Sequence, residues 1–350
     1  MLKPVDLLKK YWGYDSFRPY QEEIINSVLN GNDTLALLPT GGGKSLCFQV
    51  PSLFQEGLCL VISPLIALMK DQVLQLKKRG IPALSIYSGM NFPEVQRTLQ
   101  NAAYGNFKFL YVSPERLETE LFLEWLPSIK VNLIAVDEAH CISQWGYDFR
   151  PPYLRIAALR EYFPGVPILA LSASATEEVQ SDIKEKLLFK KSQNTFRQSF
   201  ERPNLSYSAF SLFSKQNKLL SILQKVEGSA IVYCKTRRRT KEVAELLNQN
   251  EICADFYHAG LSNEERHKKQ EDWIANKTRV ICCTNAFGMG IDKPDVRVVI
   301  HHDVPDALEN YYQEAGRAGR DWKKSYAVLL FSDSEIEVLK KQVDVRFPPN

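Results

Sequence analysis

The sequence predicts an α/β protein of two domains, each a mostly parallel sheet flanked by helices. The chain has 350 residues, which is long for one hydrophobic core and suits two. Apolar runs such as LCLVIS (58–63) alternate with helix-forming segments such as IALMKDQVLQLKKRG (66–80). Because a strand that is apolar at every position is buried on both faces, this alternation indicates parallel strands with helices on either side.

The elements of the first domain follow in order from local signals. A short helix over 5–11 precedes a second helix, which Pro19 begins and Gly31 ends. The remaining predicted elements are a strand before the glycines of 41–43, a helix over 45–53, strands over 58–63, 82–88, 107–113 and 131–136, and helices over 66–79 and 92–104. Ligands of parallel sheets lie at the carboxyl ends of the strands, so the residues just after each strand are candidates for function.

A basic linker, FRQSFERPNLSYS (196–208), interrupts this alternation, and Pro203 disfavours regular structure there. We therefore expect domains at 1–202 and 203–350. In the second domain, residues 229–250 predict a strand, a polar tip and a helix, and 253–261 predict a strand with a turn. Residues 279–303 predict two further buried strands around a glycine-rich turn.

Composition narrows the class of protein. Hydrophobic residues make up 45% and charged residues 24% of the chain, as in a soluble globular protein. No apolar run reaches membrane-spanning length and the first residues lack the core of a signal peptide, so we expect a cytoplasmic protein, nucleoid-associated if bacterial, without a membrane partner. The net charge is only +3, so any nucleic-acid binding must come from local clusters. The 7 cysteines form no C-x-x-C pair, so we expect neither zinc nor a disulfide framework.

The stretch LALLPTGGGKS (35–45) resembles a phosphate-binding loop. Glycines let backbone N–H groups approach a phosphate chain, while Lys44 offers a charge for the β and γ phosphates and Ser45 an oxygen for Mg²⁺. Leu38 stands at the first glycine position of G-x-x-x-x-G-K-[ST], and glycine triplets also occur in flexible turns. The strand before the loop and the helix after it favour ATP. The predicted loop contacts are Thr40, Gly41, Gly42, Gly43, Lys44 and Ser45.

Tyr14, Arg18 and Gln21 precede this loop and combine a ring that can stack, a cation, and an amide with both donor and acceptor. That set could read the edge of adenine. The alternative is an ordinary capped helix with an aromatic staple.

The sequence Asp137-Glu138-Ala139-His140 comes directly after the apolar VNLIAV. A carboxylate at a strand end beside a phosphate loop is suited to Mg²⁺, so Asp137 and Ser45 are the predicted metal ligands. Glu138 would polarise the attacking water, and His140 could couple the site to bound strand or to the other domain. The alternative is that these residues cap a helix.

Residues 141–150, CISQWGYDFR, crowd aromatic rings beside an arginine; we call this segment the aromatic loop. Trp145 and Phe149 offer flat faces for bases and Arg150 a cation for phosphate, as single-stranded nucleic acid requires. The alternative is that the rings fill the core.

The second domain carries its own candidates. Arg237 is a predicted phosphate contact, although 237–239 could equally be a solvated basic patch. Thr284 is a predicted DNA-backbone contact and Asp292 is expected near the ribose of ATP. Gln313, Arg317 and Arg320 recur at spacings of four and three, which predicts one face of a helix, and an arginine there could act on the γ-phosphate. The alternative is a solvent-facing amphipathic helix, which Gly316 and Gly319 make less favourable.

Several of these motifs together resemble the RecQ-type DNA helicases of helicase superfamily 2. The motifs are TGGGKS, SPLIALMKDQ, VSPERL, DEAHCISQWGYDFRP, FERPNL, YHAGL, AFGMGIDKPDVR and YYQEAGRAGRD, and the resemblance covers residues 11–331. DEAH followed at once by CISQWG-x-DFRP separates RecQ-like proteins from RNA helicases.

The resemblance implies two RecA-like domains, ATP hydrolysis with Mg²⁺, 3′-to-5′ movement along DNA, and roles in DNA repair and recombination. Tyr14, Arg18 and Gln21 would hold adenine, and the aromatic loop would sense DNA and report to the ATP site. Ser63 and Lys70, in SPLIALMKDQ, complete the predicted DNA-binding residues. The expected partners are single-stranded and tailed duplex DNA; we expect a monomer, and the sequence identifies no protein partner.

Two departures from the family pattern affect these expectations. Residues 172–176 read SASAT where relatives have TATAT, and serine keeps the hydroxyl. Longer relatives continue into zinc-binding and winged-helix regions, so we expect these 350 residues to unwind long duplexes weakly. A nucleotide-gated DNA-binding scaffold is the alternative function, and a P-loop kinase is disfavoured because no acceptor pocket is evident.

Overall fold

A computed structural model describes residues 3–39, 41–145, 148–173, 175–190, 192–199, 201–287 and 293–346. The chain divides into two compact units, Met1–Phe200 and Glu201–Asn350. This division lies two residues before the predicted boundary. Arg202 belongs to the second unit, where its guanidinium donates hydrogen bonds to the carbonyls of Ala318 (3.1 Å) and Gly319 (2.8 Å).

The first unit is a seven-stranded sheet with helices on both faces. Its strands are β1 (Asp33–Leu37), β2 (Leu58–Ile62), β3 (Ala83–Ile86), β4 (Phe109–Val112), β5 (Val131–Val136), β6 (Ile168–Ser172) and β7 (Gln193–Arg197). Its helices are α1 (Pro4–Trp12), α2 (Gln21–Leu29), α3 (Leu46–Phe54), α4 (Ile66–Lys78), α5 (Phe92–Tyr104), α6 (Glu120–Trp125), α7 (Leu159–Tyr162) and α8 (Glu177–Lys186), with short 3₁₀ segments at 114–116, 126–128, 139–142 and 151–158.

The strand order is β3-β4-β2-β5-β6-β1-β7, and every pairing between the described strands is parallel. Four central neighbours, β2, β5, β6 and β1, therefore end at the same edge of the sheet. The predicted α/β fold with parallel sheets is confirmed.

Alternation along β1 explains why its apolar run is continuous. Leu35 and Leu37 pack in one buried core, whereas Ala36 and Leu38 pack in another. Since successive side chains point to opposite faces of a sheet, the two cores lie on its two sides. Each strand position is thus buried, as the sequence predicted.

The second unit repeats the architecture with six parallel strands in the order β10-β11-β9-β12-β13-β8. The strands are β8 (Leu205–Ser211), β9 (Ser229–Tyr233), β10 (Ala254–Tyr257), β11 (Val280–Cys283), β12 (Val296–His301) and β13 (Ser325–Phe331). The helices are α9 (Lys215–Lys225), α10 (Arg237–Gln249), α11 (Asn263–Ile274), α12 (Leu308–Ala315) and α13 (Asp333–Arg346). No helix in the described parts of the chain is long and apolar enough to cross a membrane.

Two predicted helices differ from the structure. Helix α2 begins at Gln21 rather than at Pro19, because Tyr20 adopts φ +66° and cannot belong to the helix. The prediction that Gln313, Arg317 and Arg320 share one helix face is wrong. Helix α12 ends at Ala315, and the two arginines lie in the turns beyond it, where Gly319 adopts φ +62°.

A buried carboxylate fixes the amino ends of the sheet. Asp33 is fully buried and accepts hydrogen bonds from Arg160 Nη2 (2.5 Å), Ile168 N (2.8 Å) and Lys190 N (2.6 Å). It joins the start of β1 to the start of β6 and to the segment that leads into β7.

We expect Asp33→Ala to destabilise the first unit by roughly 3–5 kcal/mol, because it leaves the Arg160 charge buried without its partner. Urea denaturation would measure the loss. The control is Glu56→Ala, which removes the exposed pair with Lys130 and should cost about 0–1 kcal/mol. Equal effects of the two changes would contradict this role for Asp33.

Candidate functional site

The carboxyl ends of four neighbouring strands bring the predicted motifs of the first unit together. Leu38 N, after β1, donates to Ser172 O at the end of β6 (3.1 Å). Asp137 N, after β5, donates to Ile62 O at the end of β2 (2.9 Å). The phosphate loop (38–45), the Asp137-Glu138 pair and the start of the SASAT segment therefore share one edge of the sheet.

The backbone conformation and the close contacts of the phosphate loop require glycine at its glycine positions. Gly41 and Gly43 adopt φ +81° and +75°, where other residues are strained. A Cβ on Gly43 would collide with Gln21 Nε2, and one on Gly42 would lie 2.9 Å from Pro39 O. Thr40 lies outside the described residues. The backbone can form this cradle only with glycine at these positions.

Gln21 and Arg18 hold the loop from the side. Gln21 is buried, and its Nε2 donates to the carbonyls of Gly42 (3.2 Å) and Gly43 (3.1 Å) while its Oε1 accepts from Arg18 N (2.9 Å). The Arg18 guanidinium donates to Gly41 O. Both side chains thus fix the loop in this structure, whereas Tyr14 is 52% exposed and offers its ring face.

Lys44 and Ser45 lie where the loop enters α3. Lys44 is partly buried and its Nζ lies 3.4 Å from Leu38 O, a long hydrogen bond that leaves the ammonium available. Ser45 is the residue before the first turn of α3, so its hydroxyl sits at the positive end of the helix.

Asp137 and Glu138 are adjacent carboxylates in a poorly solvated position. Burial, with the neighbouring charge of Glu138, raises the pKa of Asp137 to about 7, while Lys44 and Ser63 act in the opposite direction. Glu138 takes the left-handed backbone conformation, φ +47°, and its N–H donates to Asp137 Oδ1 (3.0 Å). Tyr153 Oη donates to Asp137 O (2.9 Å) and anchors the turn.

His140 connects Glu138 to the SASAT segment. Its Nδ1 lies 3.0 Å from Ser172 Oγ and 3.4 Å from Glu138 Oε2. Burial lowers the pKa of His140 and so favours the neutral imidazole. The predicted coupling role thus has a partner within the first unit.

These residues fit ATP with Mg²⁺. The glycines form a cradle that a Cβ would fill, Lys44 supplies a cation, and Asp137 with Ser45 supplies the oxygen ligands that Mg²⁺ prefers. Glu138 Oε2 is buried and accepts no hydrogen bond in the part of the chain that the structure describes. A buried carboxylate oxygen without a donor is suited to orient water.

The aromatic loop presents its tryptophan to solvent. Trp145 is 78% exposed, so the alternative that it fills the core is wrong, while Phe149 is partly buried. Arg150 pairs with Asp148 (3.0 Å) and donates to Pro64 O (3.3 Å), which joins the loop to the SPLIALMKDQ motif. Gly146 and Tyr147 lie outside the described residues.

Ser63 and Lys70 of that motif have different surroundings. Ser63 is only 1% exposed and lies beside Asp137, so the predicted DNA contact through its side chain needs correction. The residue follows β2, which is fully buried as the apolar run over 58–63 predicted, but the sequence did not reveal that Ser63 lies beside Asp137. Lys70 is exposed on α4, and its Nζ lies 4.6 Å from the centre of the Tyr87 ring.

In the second unit, three neighbouring strands end in polar residues. Arg237 follows β9, His258 follows β10 and Thr284 follows β11, and Thr284 N donates to Tyr257 O (3.2 Å). The Arg237 guanidinium lies over Gly260, where a Cβ would be 2.7 Å from Nη1. His258 is buried, and the charges of Lys241 and Arg237 add to burial in lowering its pKa. The sequence predicts no role for His258, although the YHAGL motif contains it.

The three arginines of 237–239 are not equivalent. Arg238 and Arg239 pair with Glu242 at 2.6 Å and 3.8 Å. No carboxylate pairs with Arg237 within the described ranges, and its side chain is exposed. This difference favours Arg237 as the residue available to phosphate.

Beyond α12, Arg317 is 6% exposed and lies near the Tyr233 hydroxyl, and Arg320 is partly exposed. Gln313 is partly buried on α12. On the same helix, Glu314 accepts from His301 Nε2 (2.9 Å), a contact that sequence reasoning missed. Asp292 lies outside the described residues.

A cluster of potential metal ligands, Cys234, His302 and Asp303, lies at the ends of β9 and β12, with ligand atoms within 4.8 Å of one another. Both Asp303 oxygens already accept hydrogen bonds, from His302 Nδ1 (3.2 Å) and Lys235 N (2.8 Å). Burial alone would raise the pKa of Asp303, but these donors and Lys215 lower it to about 2. The geometry is that of a hydrogen-bonded network around a carboxylate.

Comparison with known proteins finds the DEAD/DEAH box helicase family over residues 18–182 and the helicase conserved C-terminal domain over 214–321. A probable ATP-dependent DNA helicase RecS of Bacillus subtilis is 43% identical over 348 residues, 98% of this chain and 69% of the relative. The ATP-dependent DNA helicase RecQ of Pasteurella multocida is 44% identical over 338 residues, 96% of this chain and 53% of the relative.

A solved structure has a similar fold. The helicase Lhr of Mycobacterium smegmatis, bound to single-stranded DNA and AMP-PNP, matches 98% of this chain and 51% of its own with a TM-score of 0.75 at 19% identity. At that identity the similarity concerns the fold alone. The chain spans about half of both Lhr and the Pasteurella relative, and about two thirds of the Bacillus relative.

The cradle geometry predicts that Gly43→Ala abolishes tight ATP binding, because the methyl group displaces Gln21 from the loop. The matched control is Gly80→Ala: Gly80 has φ +74°, but a Cβ there meets nothing within 4 Å. Both changes should lower stability by roughly 1 kcal/mol from backbone strain. Fluorescent-ATP binding should fall only for Gly43→Ala; equal losses of affinity would contradict the cradle.

Proposed function

The chain belongs to the RecQ family of ATP-dependent DNA helicases, and we propose that it is a motor core that hydrolyses ATP as it moves 3′ to 5′ along single-stranded DNA. One observation carries the proposal. The phosphate loop, the Asp137-Glu138 pair and the base of the exposed aromatic loop meet at one edge of the first sheet. A nucleotide site and a DNA contact thus share one rigid support.

We propose that the loop backbone and Lys44 bind the phosphates, that Ser45 and Asp137 hold Mg²⁺, and that Tyr14 stacks on adenine. The metal, when bound, neutralises charge that develops on the phosphates. Glu138 would orient the attacking water, and the left-handed backbone at Glu138 supports this role because strained residues gather at functional sites. Gln21 and Arg18 would keep the loop in shape.

We further propose that the second unit supplies Arg320, and secondarily Arg317, to the γ-phosphate, with Gln313 and Asp292 assisting at the nucleotide. A guanidinium at that point stabilises transition-state charge. Helix α12 ends at Ala315, so the two arginines lie in the turns beyond it, which supports a role other than stabilising that helix.

Contacts to DNA would come from Trp145, Phe149 and Arg150 in the first unit, with Lys70 nearby, and from Arg237 and Thr284 in the second. The exposed tryptophan supports base stacking, and the exposed Arg237, with which no carboxylate of the described residues pairs, supports phosphate binding. Binding that depends on phosphate contacts should weaken steeply with salt. Roles in DNA repair and recombination remain proposals from the family.

The alternative function is a DNA-binding scaffold whose binding of DNA is controlled by nucleotide, with little hydrolysis. ATPase assays with and without single-stranded DNA separate the two, because DNA should stimulate a motor and leave a scaffold slow. RNA of the same sequence is the control for the nucleic acid.

Lys44→Ala and Asp137→Asn should each lower kcat by roughly 10²–10³-fold, because each removes a charge meant for phosphate or Mg²⁺. Phosphate release in the presence of single-stranded DNA measures the loss, and urea denaturation checks the fold. Lys130→Ala is the control, since Lys130 is exposed and precedes β5 at the opposite edge of the sheet. Near-normal turnover in either variant would rule out the site assignment.

Trp145→Ala should weaken single-stranded DNA binding by roughly 1–3 kcal/mol, because one base loses its stacking surface. The melting temperature should stay within error of the wild type, since the ring is 78% exposed. Fluorescence anisotropy with labelled oligonucleotide measures the affinity. A large loss of stability with unchanged affinity would instead indicate a packing role.

A further inference from the structure

A chain of hydrogen bonds anchors the aromatic loop to α8, a helix that contributes no residue to the predicted ATP site. Ser143 is fully buried, and its Oγ donates to Asp182 Oδ2 at 2.6 Å. The same Oγ accepts a hydrogen bond from Trp145 N at 3.2 Å. One buried hydroxyl therefore joins the backbone of the exposed tryptophan to a carboxylate on α8.

Asp182 is itself held in place. Lys186, one turn later on α8, lies 3.0 Å from the same carboxylate oxygen. The hydrogen bond from Ser143 has the largest effect and, with Lys186, keeps the pKa of Asp182 below its usual range, although burial acts in the opposite direction. The acceptor is thus an ionised carboxylate, and hydrogen bonds to ionised groups are the stronger kind.

Helix α8 is in turn attached to the SASAT segment. Thr176 Oγ1 caps the helix by accepting from Val179 N (3.4 Å), and Gln180 Nε2 donates back to Ala175 O (2.8 Å). The same segment begins with Ser172, which contacts His140 and through it lies near Glu138. Described contacts therefore lead from Trp145 to α8 and Ala175, and at the other end of the same segment Ser172 contacts His140 beside Glu138.

We propose that Asp182 is a positioning residue that couples DNA contact at Trp145 to ATP hydrolysis by holding the base of the aromatic loop on α8 through Ser143. The inference rests on the proposed function. Asp182 touches neither nucleotide nor DNA in this role. It fixes where the loop starts, so that a force on Trp145 displaces α8 and the SASAT segment together.

The test compares Asp182→Ala with two matched variants. Asp182→Asn keeps an acceptor for Ser143, and Lys186→Ala removes the ion pair but leaves the Ser143 bond. Asp182→Ala should lower the ratio of DNA-stimulated to DNA-free kcat by roughly tenfold, as loss of the hydrogen bond from Ser143 predicts, with a DNA-free kcat near the wild type. The two matched variants should retain most of the stimulation.

A second measurement reports on the loop directly. The protein is labelled with 5-fluorotryptophan, and the ¹⁹F resonance of Trp145 is assigned with the variant Trp145→Phe. This resonance should shift or broaden in Asp182→Ala and in Ser143→Ala but not in Lys186→Ala. Melting temperatures identify variants that fail to fold. If Asp182→Ala is one of them, Ser143→Ala, which removes the same hydrogen bond, is compared with Lys186→Ala instead.

The possible outcomes distinguish failure of the proposed function from failure of the coupling role of Asp182. If DNA does not stimulate the wild-type ATPase, the proposed function fails, and the coupling role fails with it. If the wild type is stimulated and Asp182→Ala keeps both the stimulation and the Trp145 resonance, only the inference is overturned. Parallel loss of stability and of DNA-free activity in Asp182→Ala, without rescue by Asp182→Asn, would also overturn it.

Discussion

Parallel pairing of β2, β5, β6 and β1 is the constraint on which the rest of the first unit depends. Because the four strands run in one direction, the backbone emerges from all of them at one edge. The glycine loop, the carboxylate pair and the SASAT segment come from distant parts of the sequence. Backbone hydrogen bonds between neighbouring strand ends, such as that from Asp137 N to Ile62 O, fix their positions along the strand direction. Once the sheet has formed, these three segments of the first unit are already close together.

Much of this could be predicted because the signals are local. A fully buried parallel strand is apolar at nearly every position, so central strands such as β2 and β5 are visible in the sequence, as are the glycines that precede Lys44. The largely exposed strands β7 and β8 were not predicted, because part of each lies in the segment predicted as a linker. Burial by neighbours in space leaves no such signal. The sequence could not show that Ser63 is covered beside Asp137, that Gln21 is bound to the loop carbonyls, or that α12 stops before Arg317.

The second unit uses the same geometry for a different surface. Its strands β9, β11 and β10 are neighbours, and polar residues follow them: Arg237 opens α10 after β9, and Thr284 and His258 come directly after β11 and β10. The motif pattern identified Arg237 and Thr284, but pairing between strands was needed to bring His258 beside them. Ion pairing then distinguished Arg237 from the two arginines that follow it, a choice that a run of like charges leaves open.

The position of β1 in the sheet also has a consequence for biosynthesis. Both of its partners, β6 and β7, come late in the chain, with Thr34 paired to Leu169 and to Asn194. A nascent chain on the ribosome therefore carries the glycine loop for most of the translation of this unit before β1 has a partner strand. Because β1 is unpaired during that interval, nucleotide cannot stabilise the early nascent chain through the glycine loop. The exposed apolar strand is then a natural substrate for chaperones.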